Sequence, residues 1–530
     1  MRSTPAHRRA PADFSAGLLF PLFFAAVYLT HVTLLRLPYF WDEAGYYIPA
    51  AWDFFRTGSL IPQSTLTNAH PPLPSILLAA WWHLSGYVVS GTRTLVVMVT
   101  ATALVAVFYL ARALRNVSTA IVAVLLTALY PVWFAQSTLA HADIFAAAFT
   151  LWALALYLEP DADNQILASG LFSFAALSKE TAIVTPLALA ALEFFYYLRS
   201  RTSPPQRRSH ALWIVSLVSP LIPLASWYAY HHHRTGFIFG NPEFLRYNAT
   251  ANLDPLRVLL SMWHRLLHLT THMNLYVPVV CTIAVLFIPL KGEPPILPRR
   301  ALNGILMVLF VNWLAFSILG GALLTRYLLP MYPLVLLLCI TTWQRHLTRW
   351  WALALLTAAA FLAGIWINPP YVFSPEDNLT YRDMIVLHQQ AVSVIANRYP
   401  QATVLTAWPA SAELSRPELG YIRQPLKTVS IQNFTFDQIA LAAQDPGAYD
   451  TALLFSTKWV PPPGHLDLGR LGRYFDKKYF DFHHDISPEE AALLLRGEVV
   501  WQAQRNGEWA AVLRFPRAVN ASFIQNATAR

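Results

Sequence analysis

Eleven apolar segments, each close to the length of a membrane-spanning helix, constrain this chain more than any other feature. A spanning helix needs about 20 mostly apolar residues, with about 17 as the short limit. The segments lie near 14–36, 92–112, 117–135, 143–158, 165–179, 182–198, 211–230, 272–290, 300–320, 325–342 and 350–368. A soluble chain with 55% hydrophobic and 13% charged residues would have too little polar surface to cover itself. We therefore predict a polytopic α-helical membrane protein with about eleven transmembrane helices.

The charged residues predict how these helices are oriented. Arg8 and Arg9 precede the first segment, and further basic residues fill short turns that would all fall on one side. Because basic loops stay in the cytoplasm, the amino terminus is predicted to be cytoplasmic, and an odd number of spans places the carboxy-terminal region outside. The first apolar run exceeds a usual signal-peptide core and lacks a small-residue cleavage site, so we expect it to be retained.

The net charge of +9 invites the alternative that the protein binds nucleic acid. The excess lies in the apolar part, because residues 374–530 carry a net charge of −1. In that part the lysines and arginines set membrane topology. We predict membrane lipid, and no nucleic acid, as a partner.

The segment 37–91, between the first two apolar segments, is too long and too apolar to be a simple turn. Apolar side chains recur at helical spacing from Ala44 to Phe55, and a second helical stretch runs from Pro72 to Leu84. That second stretch carries Trp81 and Trp82, a residue type that suits the headgroup level. The spacing predicts interfacial helices in the first external loop, within a transmembrane domain of residues 1–372.

Residues 373–530 are predicted to form a soluble α/β domain outside the membrane. Strand-like runs cover 403–408, 427–431 and 451–456, and a helix is predicted over 381–398. The sequence from Ser487 to Glu490 is typical of a capping box, with Gly497 ending that helix. Asn506-Gly507 between two further strand-like runs predicts a hairpin.

Acidic residues are scarce in the apolar part, and three of them are candidates for catalysis. Asp42 and Glu43 follow the first span directly, and Asp143 opens the fourth. A carboxylate at that depth costs a few kcal/mol unless it is paired or faces a wet cavity. Two such acids in one external cavity could take a proton from an acceptor and orient it. The alternative is that Asp143 only stabilises a helix N-terminus.

Basic and aromatic residues are predicted to collect on the same side and to bind a phosphate. Arginine supplies paired donors and lysine a point charge. The candidates are His70, Lys179, Glu180, Arg234, Arg246, Arg326 and Tyr327. Each alone could instead reach lipid phosphate at the membrane surface. We predict no metal site at His231-His232-His233, because adjacent residues do not share a face.

Five of these motifs occur in an order that resembles a known family. Asp42-Glu43, His70-Pro71-Pro72-Leu73, the acid Asp143, Ser178-Lys179-Glu180 and the run from Arg326 to Pro330 are arranged as in C-type membrane glycosyltransferases. The closest branch is the superfamily of protein mannosyltransferases and lipid A aminoarabinose transferases, and the resemblance covers roughly residues 14–368. Where the aminoarabinose transferases tend to have lysine before Pro-Pro, this chain has His70.

The resemblance implies inverting transfer of a sugar from a polyprenyl-phosphate carrier to a protein, lipid A or glycan acceptor. The external face of a bacterial inner membrane is the implied location. Asp42 matches the acid that activates the acceptor, Glu43 and Asp143 would support it, and the basic residues would hold the carrier phosphate. No cofactor is certain, although a divalent cation could bind the clustered acids. Two alternatives are a transporter or flippase of lipid-linked sugars, and a scaffold built around the outer domain.

Overall fold

The structure combines a large helical part with a small sheet. It is a computed structural model that describes residues 16–65, 67, 70–159, 164–200, 203–240, 253–289, 297–319, 322–459, 469–480 and 482–515. Helices fill the described chain as far as Trp366, and a five-stranded sheet with its own helices follows. The described chain is therefore mostly helical with a small sheet region towards its carboxyl end, and the domain boundary at residue 372 stays a prediction.

Sixteen α-helices make up the helical part of the described chain. They are α1 Ala16–His31, α2 Ile48–Thr57, α3 Leu73–Ser85, α4 Val89–Leu114, α5 Val117–Leu129, α6 Pro131–Gln136, α7 Ala142–Leu158, α8 Gln165–Ser178, α9 Val184–Arg199, α10 Pro204–Val218, α11 Leu221–Thr235, α12 Pro255–Thr270, α13 Tyr276–Leu286, α14 Arg299–Ile318, α15 Met331–His346 and α16 Trp351–Trp366. Helix α7 packs between α4 and α8 and is apolar almost all round, which is why most of its side chains are buried.

Several of these helices are long and apolar enough to cross a membrane. In the described chain four continuous helices meet that test, and the bent pair of α12 with α13 would make a fifth. Five shorter apolar helices of 10–17 residues coincide with other predicted spans. The chain is therefore a multi-pass membrane protein, and the count of eleven spans stays a prediction.

Prolines and polar residues break some of the predicted spans. The span expected over 211–230 consists of α10 and α11, which a turn at Ser219 and Pro220 separates without a sharp bend, so the two together form one of the four continuous helices. The span expected over 272–290 is continuous only from Tyr276, since α12 meets α13 at an angle of 99°. The span expected from residue 325 begins at Met331, after a 3₁₀ turn at Thr325–Leu328.

The first loop forms the two predicted helices, α2 and α3. A π-helical turn over Glu43–Tyr47 leads into α2, and π-helical turns occur frequently at functional sites. Trp82 faces the protein interior and not lipid, so its expected position at the headgroup level stays a prediction. Its side chain is buried, packs against Trp52 and Phe55, and donates a hydrogen bond to Thr92 Oγ1 over 2.8 Å.

The sheet has the strand order β2-β1-β3-β5-β4. Its strands are β1 Thr403–Ala407, β2 Lys427–Ile431, β3 Thr451–Phe455, β4 Glu498–Arg505 and β5 Glu508–Arg514. The first three are parallel, and β5 is antiparallel to both β3 and β4. The predicted hairpin is confirmed: Asn506 and Gly507 form its turn with φ of 46° and 90°, a conformation that favours Asn-Gly.

Five helices accompany the sheet in the described chain. They are α17 Thr380–Arg398, α18 Ala410–Ser415, α19 Phe436–Ala442, α20 Gly469–Phe480 and α21 Pro488–Leu495. The predicted capping box is confirmed, because Ser487 and Glu490 each accept a hydrogen bond from the other's backbone N–H. Helix α20 has no counterpart among the predicted elements.

The sheet part lies directly on the first loop. The Trp408 ring approaches Gly45 so closely that a Cβ there would lie 2.5 Å from the indole nitrogen, so only glycine fits. Tyr421 donates a hydrogen bond to the Tyr39 carbonyl over 3.0 Å. These contacts fix the stretch of loop that carries Asp42.

Candidate active site

Arg326 is the centre of a buried ionic cluster. Its guanidinium forms ion pairs with the carboxylates of Asp42 and Glu376, and its Nε lies 3.2 Å from Asp143 Oδ2. These partners come from the first loop, the first turn of α7 and the segment that follows α16. We call Arg326, Asp42, Asp143, Glu376 and Lys179 the Arg326 cluster. The structure thus brings together four side chains that the sequence placed on separate segments.

Lys179 and Tyr327 lie next to Asp143 on another side of this cluster. Lys179 Nζ lies 2.5 Å from Asp143 Oδ1 and 3.8 Å from the centre of the Tyr327 ring. Asp143 is therefore held by two cations as well as by the N-terminal end of α7, which favours an anion. Asp143 stabilises a helix N-terminus, as the alternative reading held, and it also orients Lys179 and Arg326.

Asp42 is the most exposed carboxylate of the Arg326 cluster. Its side chain is 20% exposed, against 2% for Asp143 and 3% for Glu376. The preceding residue, Trp41, has a φ of 44°, which costs a non-glycine residue about 1–3 kcal/mol. Backbone strain of this kind clusters at functional sites. Asp42 is thus the acid that a molecule outside the cluster can reach.

Glu43 is buried and does not contact Arg326; its partners are different from those of Asp42. It is fully buried, pairs with Arg93 at 3.3 Å, and accepts hydrogen bonds from the backbone N–H groups of Phe40 and Ala140. Arg93 in turn donates to the carbonyls of Leu37, Pro38 and Thr138. The pair ties the first loop to α4 and to the start of α7, so Glu43 can support Asp42 only by holding the backbone.

His70 and Glu180 form a separate pair beside the cluster. His70 Nδ1 lies 2.9 Å from Glu180 Oε2, and the two side chains are partly exposed. The Tyr47 ring connects this pair to the cluster, since its centre is 5.9 Å from both His70 and His141. His141 lies 3.9 Å from the Glu376 carboxylate.

Of the two arginines predicted to bind phosphate after the seventh span, the structure describes only Arg234, and that residue does not join the site. Arg234 is exposed in the last turn of α11. Arg246 lies outside the described residues. Arg234 is therefore not the phosphate-binding arginine that was predicted after the seventh span.

The structure adds a buried arginine that sequence analysis missed. Arg265 on α12 is 2% exposed, and its guanidinium carbon lies 5.6 Å from the centre of the Tyr327 ring. It donates to the Leu324 carbonyl over 2.6 Å, and its Nε lacks a hydrogen-bond partner in the described part of the chain. No carboxylate of the described residues forms an ion pair with it. The signal in the sequence was the spacing of Arg257, Ser261 and Arg265 on one helical face.

An acidic pair after α16 was also missed. Glu376 binds Arg326, while Asp377 accepts a hydrogen bond from Thr325 and lies 3.0 Å from His272 Nε2. Both acids are buried. They follow the last apolar helix as Asp42-Glu43 follows the first, and this parallel could have identified them.

Glu376 is expected to make stability depend on pH. Burial, which outweighs the attraction of Arg326, raises the pKa of Glu376 to about 8. The folded protein therefore binds this proton more tightly than the unfolded chain does. The resulting stabilisation is complete below the ordinary pKa of the group and is lost as the pH rises through about 8. Glu376→Gln keeps the neutral form, so the melting temperature of wild type should fall relative to the variant from pH 5 to pH 9.

The Glu376→Gln substitution also weakens the pair with Arg326, which shifts the melting temperature at every pH. The quantity to compare is therefore the change with pH of the difference in melting temperature between wild type and the variant. Glu498→Gln, which changes an exposed carboxylate on β4, serves as the control and should follow wild type at every pH. Parallel curves for wild type and Glu376→Gln would contradict the expectation.

The acids of the site surround a cation that belongs to the chain itself. In the described residues no group of three or more His, Cys, Asp or Glu side chains is arranged to hold a metal ion. The carboxylates of Asp42, Asp143 and Glu376 instead converge on one guanidinium. A role for a divalent cation stays a prediction, and no step below depends on one.

Comparison with known proteins agrees with this architecture. Residues 69–227 match the family model of dolichyl-phosphate-mannose-protein mannosyltransferase. The crystal structure of ArnT from Cupriavidus metallidurans bound to undecaprenyl phosphate superposes with a TM-score of 0.53 at 16% identity, covering 94% of this chain and 98% of that one. The predicted resemblance is confirmed. The apo state of the same ArnT gives a TM-score of 0.53 at 15% identity with the same coverage, and no curated protein matches the sequence.

Proposed function

We propose that this protein is an inverting glycosyltransferase that moves a sugar from a polyprenyl-phosphate carrier to an acceptor at the external face of the membrane. The observation that carries the proposal is the position of Asp42. This reachable carboxylate lies on Arg326, and the two further buried cations Lys179 and Arg265 flank the neighbouring ring of Tyr327. The acceptor class is a protein, lipid A or a glycan.

In the proposed reaction Asp42 takes the proton of the acceptor O–H group. The acceptor oxygen forms a bond to the anomeric carbon on the face opposite the carrier, and the bond from that carbon to the phosphate oxygen breaks. The carrier changes from a phosphodiester with one negative charge to a phosphomonoester with two. Cations beside the leaving phosphate stabilise the charge that develops in the transition state.

Arg265 and Lys179 are the proposed ligands of the carrier phosphate. A buried guanidinium without a carboxylate partner is costly, and an anionic ligand would offset that cost. Arg326 fits this role less well, because its guanidinium already serves three carboxylates. We propose that Arg326 holds the acids in place while Lys179 and Arg265 bind the phosphate.

Arg265→Gln should weaken binding of undecaprenyl phosphate by about 10- to 100-fold. The expected loss corresponds to charge-assisted hydrogen bonds, which contribute about 1.5–3 kcal/mol each. The dissociation constant of the purified protein for undecaprenyl phosphate, measured by native mass spectrometry or thermophoresis, tests this directly.

Arg257→Gln is the matched control for this measurement. Arg257 lies two turns earlier on α12, is equally buried, and likewise donates to backbone carbonyls, those of Ile318, Ser317 and Leu319. Its loss should lower stability and leave the dissociation constant within about threefold of wild type. Equal weakening by both substitutions would assign the effect to the packing of α12 and not to a phosphate ligand.

Turnover of a lipid-linked sugar tests the function itself. The purified protein is incubated with polyprenyl-phosphate sugars that differ in the sugar, and the release of free polyprenyl phosphate is measured with Asp42→Asn as the inactive control. Glycosyltransfer predicts release that requires an acceptor. Movement of the intact donor across a proteoliposome membrane without release would favour the flippase alternative. Mass spectrometry of surface lipids and glycans from cells lacking the gene would then identify the acceptor.

The location at a bacterial inner membrane, with a cytoplasmic amino terminus and an external sheet, is part of the same proposal. The basic turns between the apolar segments support it. The flippase alternative expects functional charges near the middle of the bilayer. The charges of the Arg326 cluster lie at helix ends instead: Asp143 in the first turn of α7, Lys179 directly after α8, and Arg326 before α15.

A further inference from the structure

Helix α20 presents an exposed basic face, on which Lys478 lies near the rings of Tyr474 and Tyr479. Its inner side, with buried Gly472 and half-buried Phe475, Tyr479 and Phe480, faces the rest of the protein. Its outer side combines cations with two large apolar side chains, Leu471 at 62% and Tyr474 at 55% exposed. The exposed residues are Arg470, Leu471, Arg473, Tyr474, Lys477 and Lys478. That face contains no acidic residue.

Helix α20 is attached to α12, which lies at a steep angle to the apolar helix that follows it. Tyr479 donates to Asp254 at the start of α12 over 3.2 Å, and the Phe480 ring is 5.2 Å from that of His264. Helix α12 meets the apolar helix α13 at 99°, which directs α12 across the direction of the spans.

The exposed face of α12 indicates which way the membrane lies. An apolar stripe along α12 is exposed while its arginines are buried, the reverse of a water-facing helix. The stripe consists of Leu256, Leu259, Trp263 and Leu266. Trp263 is 58% exposed, and tryptophan is enriched at membrane–water interfaces. Lipid would cover this stripe, so α20, attached to the same helix at its N-cap Asp254 and at His264, lies at the level of the headgroups.

We propose that the outer face of α20 binds the phosphate headgroups of anionic phospholipids in the leaflet on which the sheet part lies. Arg470, Lys477 and Lys478 supply the charges, and each basic residue near an anionic surface strengthens the attraction. Leu471 and Tyr474 stand between those cations, as in helices that lie in the interface with an apolar face and a basic face. The contact would hold the sheet part against the membrane. Trp408, whose ring lies against Gly45 of the first loop, would be held there with it. The proposal does not depend on the glycosyltransferase function.

Amide hydrogen exchange of residues 469–480 tests this in nanodiscs. The full-length protein is compared in neutral phosphatidylcholine and in phosphatidylcholine with about one third phosphatidylglycerol. Exchange in α20 should be at least about fivefold slower in the anionic discs, the factor expected for one basic residue at such a surface. High salt should remove the difference, because it screens surface charges. The triple variant Arg470→Gln/Lys477→Gln/Lys478→Gln should lose it as well.

A second triple variant controls for net charge. Arg398→Gln/Arg423→Gln/Lys427→Gln removes three exposed cations elsewhere on the sheet part and should keep the full difference between the two discs. Equal exchange of α20 in both discs for wild type would overturn the proposal, because packing on α12 would then account for its order. Loss of the difference in the control variant would also overturn it, since the attraction would belong to overall charge and not to α20.

Discussion

Asp42→Asn is expected to reduce the rate of sugar transfer by about 10³-fold while the protein stays folded. The amide keeps the shape of the side chain and can still contact Arg326, but it cannot take the proton of the acceptor. A positioned general base contributes about 10²–10⁴-fold to a rate. Asp143 and Glu376, at 2% and 3% exposed, are too enclosed to replace it. The measurement is kcat for release of polyprenyl phosphate from the donor by purified protein.

Binding should separate this effect from a damaged site. The dissociation constant of Asp42→Asn for undecaprenyl phosphate should stay within about threefold of wild type, since Asp42 is not a proposed phosphate ligand. Asp437→Asn makes the same change at an exposed position in the first turn of α19 and should have wild-type turnover. Undiminished turnover by Asp42→Asn would remove the proposed base, and the acceptor would then need another route for its proton.

The convergence of Asp42, Asp143, Lys179 and Arg326 could be predicted because of where each residue stands relative to an apolar segment. Each lies at a segment end that the alternation of basic turns assigns to the same side. Helix ends on one side of a bundle are confined to a narrow layer, so charges there are close in space although far apart in sequence. The same reasoning wrongly included Arg234. The position of a residue at a segment end predicts its depth in the membrane but not whether its side chain points towards the site.

Arg265 and Glu376 escaped prediction for different physical reasons. Helix α12 lies at a steep angle to the spans, and its sequence contains no uninterrupted apolar run. In the search for apolar segments its two buried arginines therefore looked like residues of a connecting loop. Glu376 lies where the helical part meets the sheet, and its partner Arg326 is 50 residues earlier in the chain. The position of Glu376 after the last apolar helix marks it as a candidate, but nothing local in the sequence pairs it with Arg326.

Arg326→Gln is expected to abolish transfer and to destabilise the protein by about 3–5 kcal/mol, the usual cost of removing one partner of a buried ion pair. Three buried or partly buried carboxylates would lose their shared cation, and Lys179 can compensate only Asp143. The melting temperature of the purified protein and kcat measure the two effects. Arg300→Gln is the matched control, because Arg300 is 44% exposed and its partner Glu193, although buried, keeps its contacts with His210 and Tyr157. Loss of this half-exposed arginine should cost about 1 kcal/mol or less.

A double variant distinguishes a missing charge from a missing contact. If repulsion among unpaired carboxylates causes the loss of stability, Arg326→Gln/Asp42→Asn should recover part of it, because the second substitution removes one of the negative charges. A coupling of about 0.5–3 kcal/mol is expected for residues in one ionic network. Transfer should not recover, since the proposed base would be absent. Strictly additive effects on stability would show that Arg326 acts through packing, and the proposed role of the guanidinium as the common anchor of the three acids would be wrong.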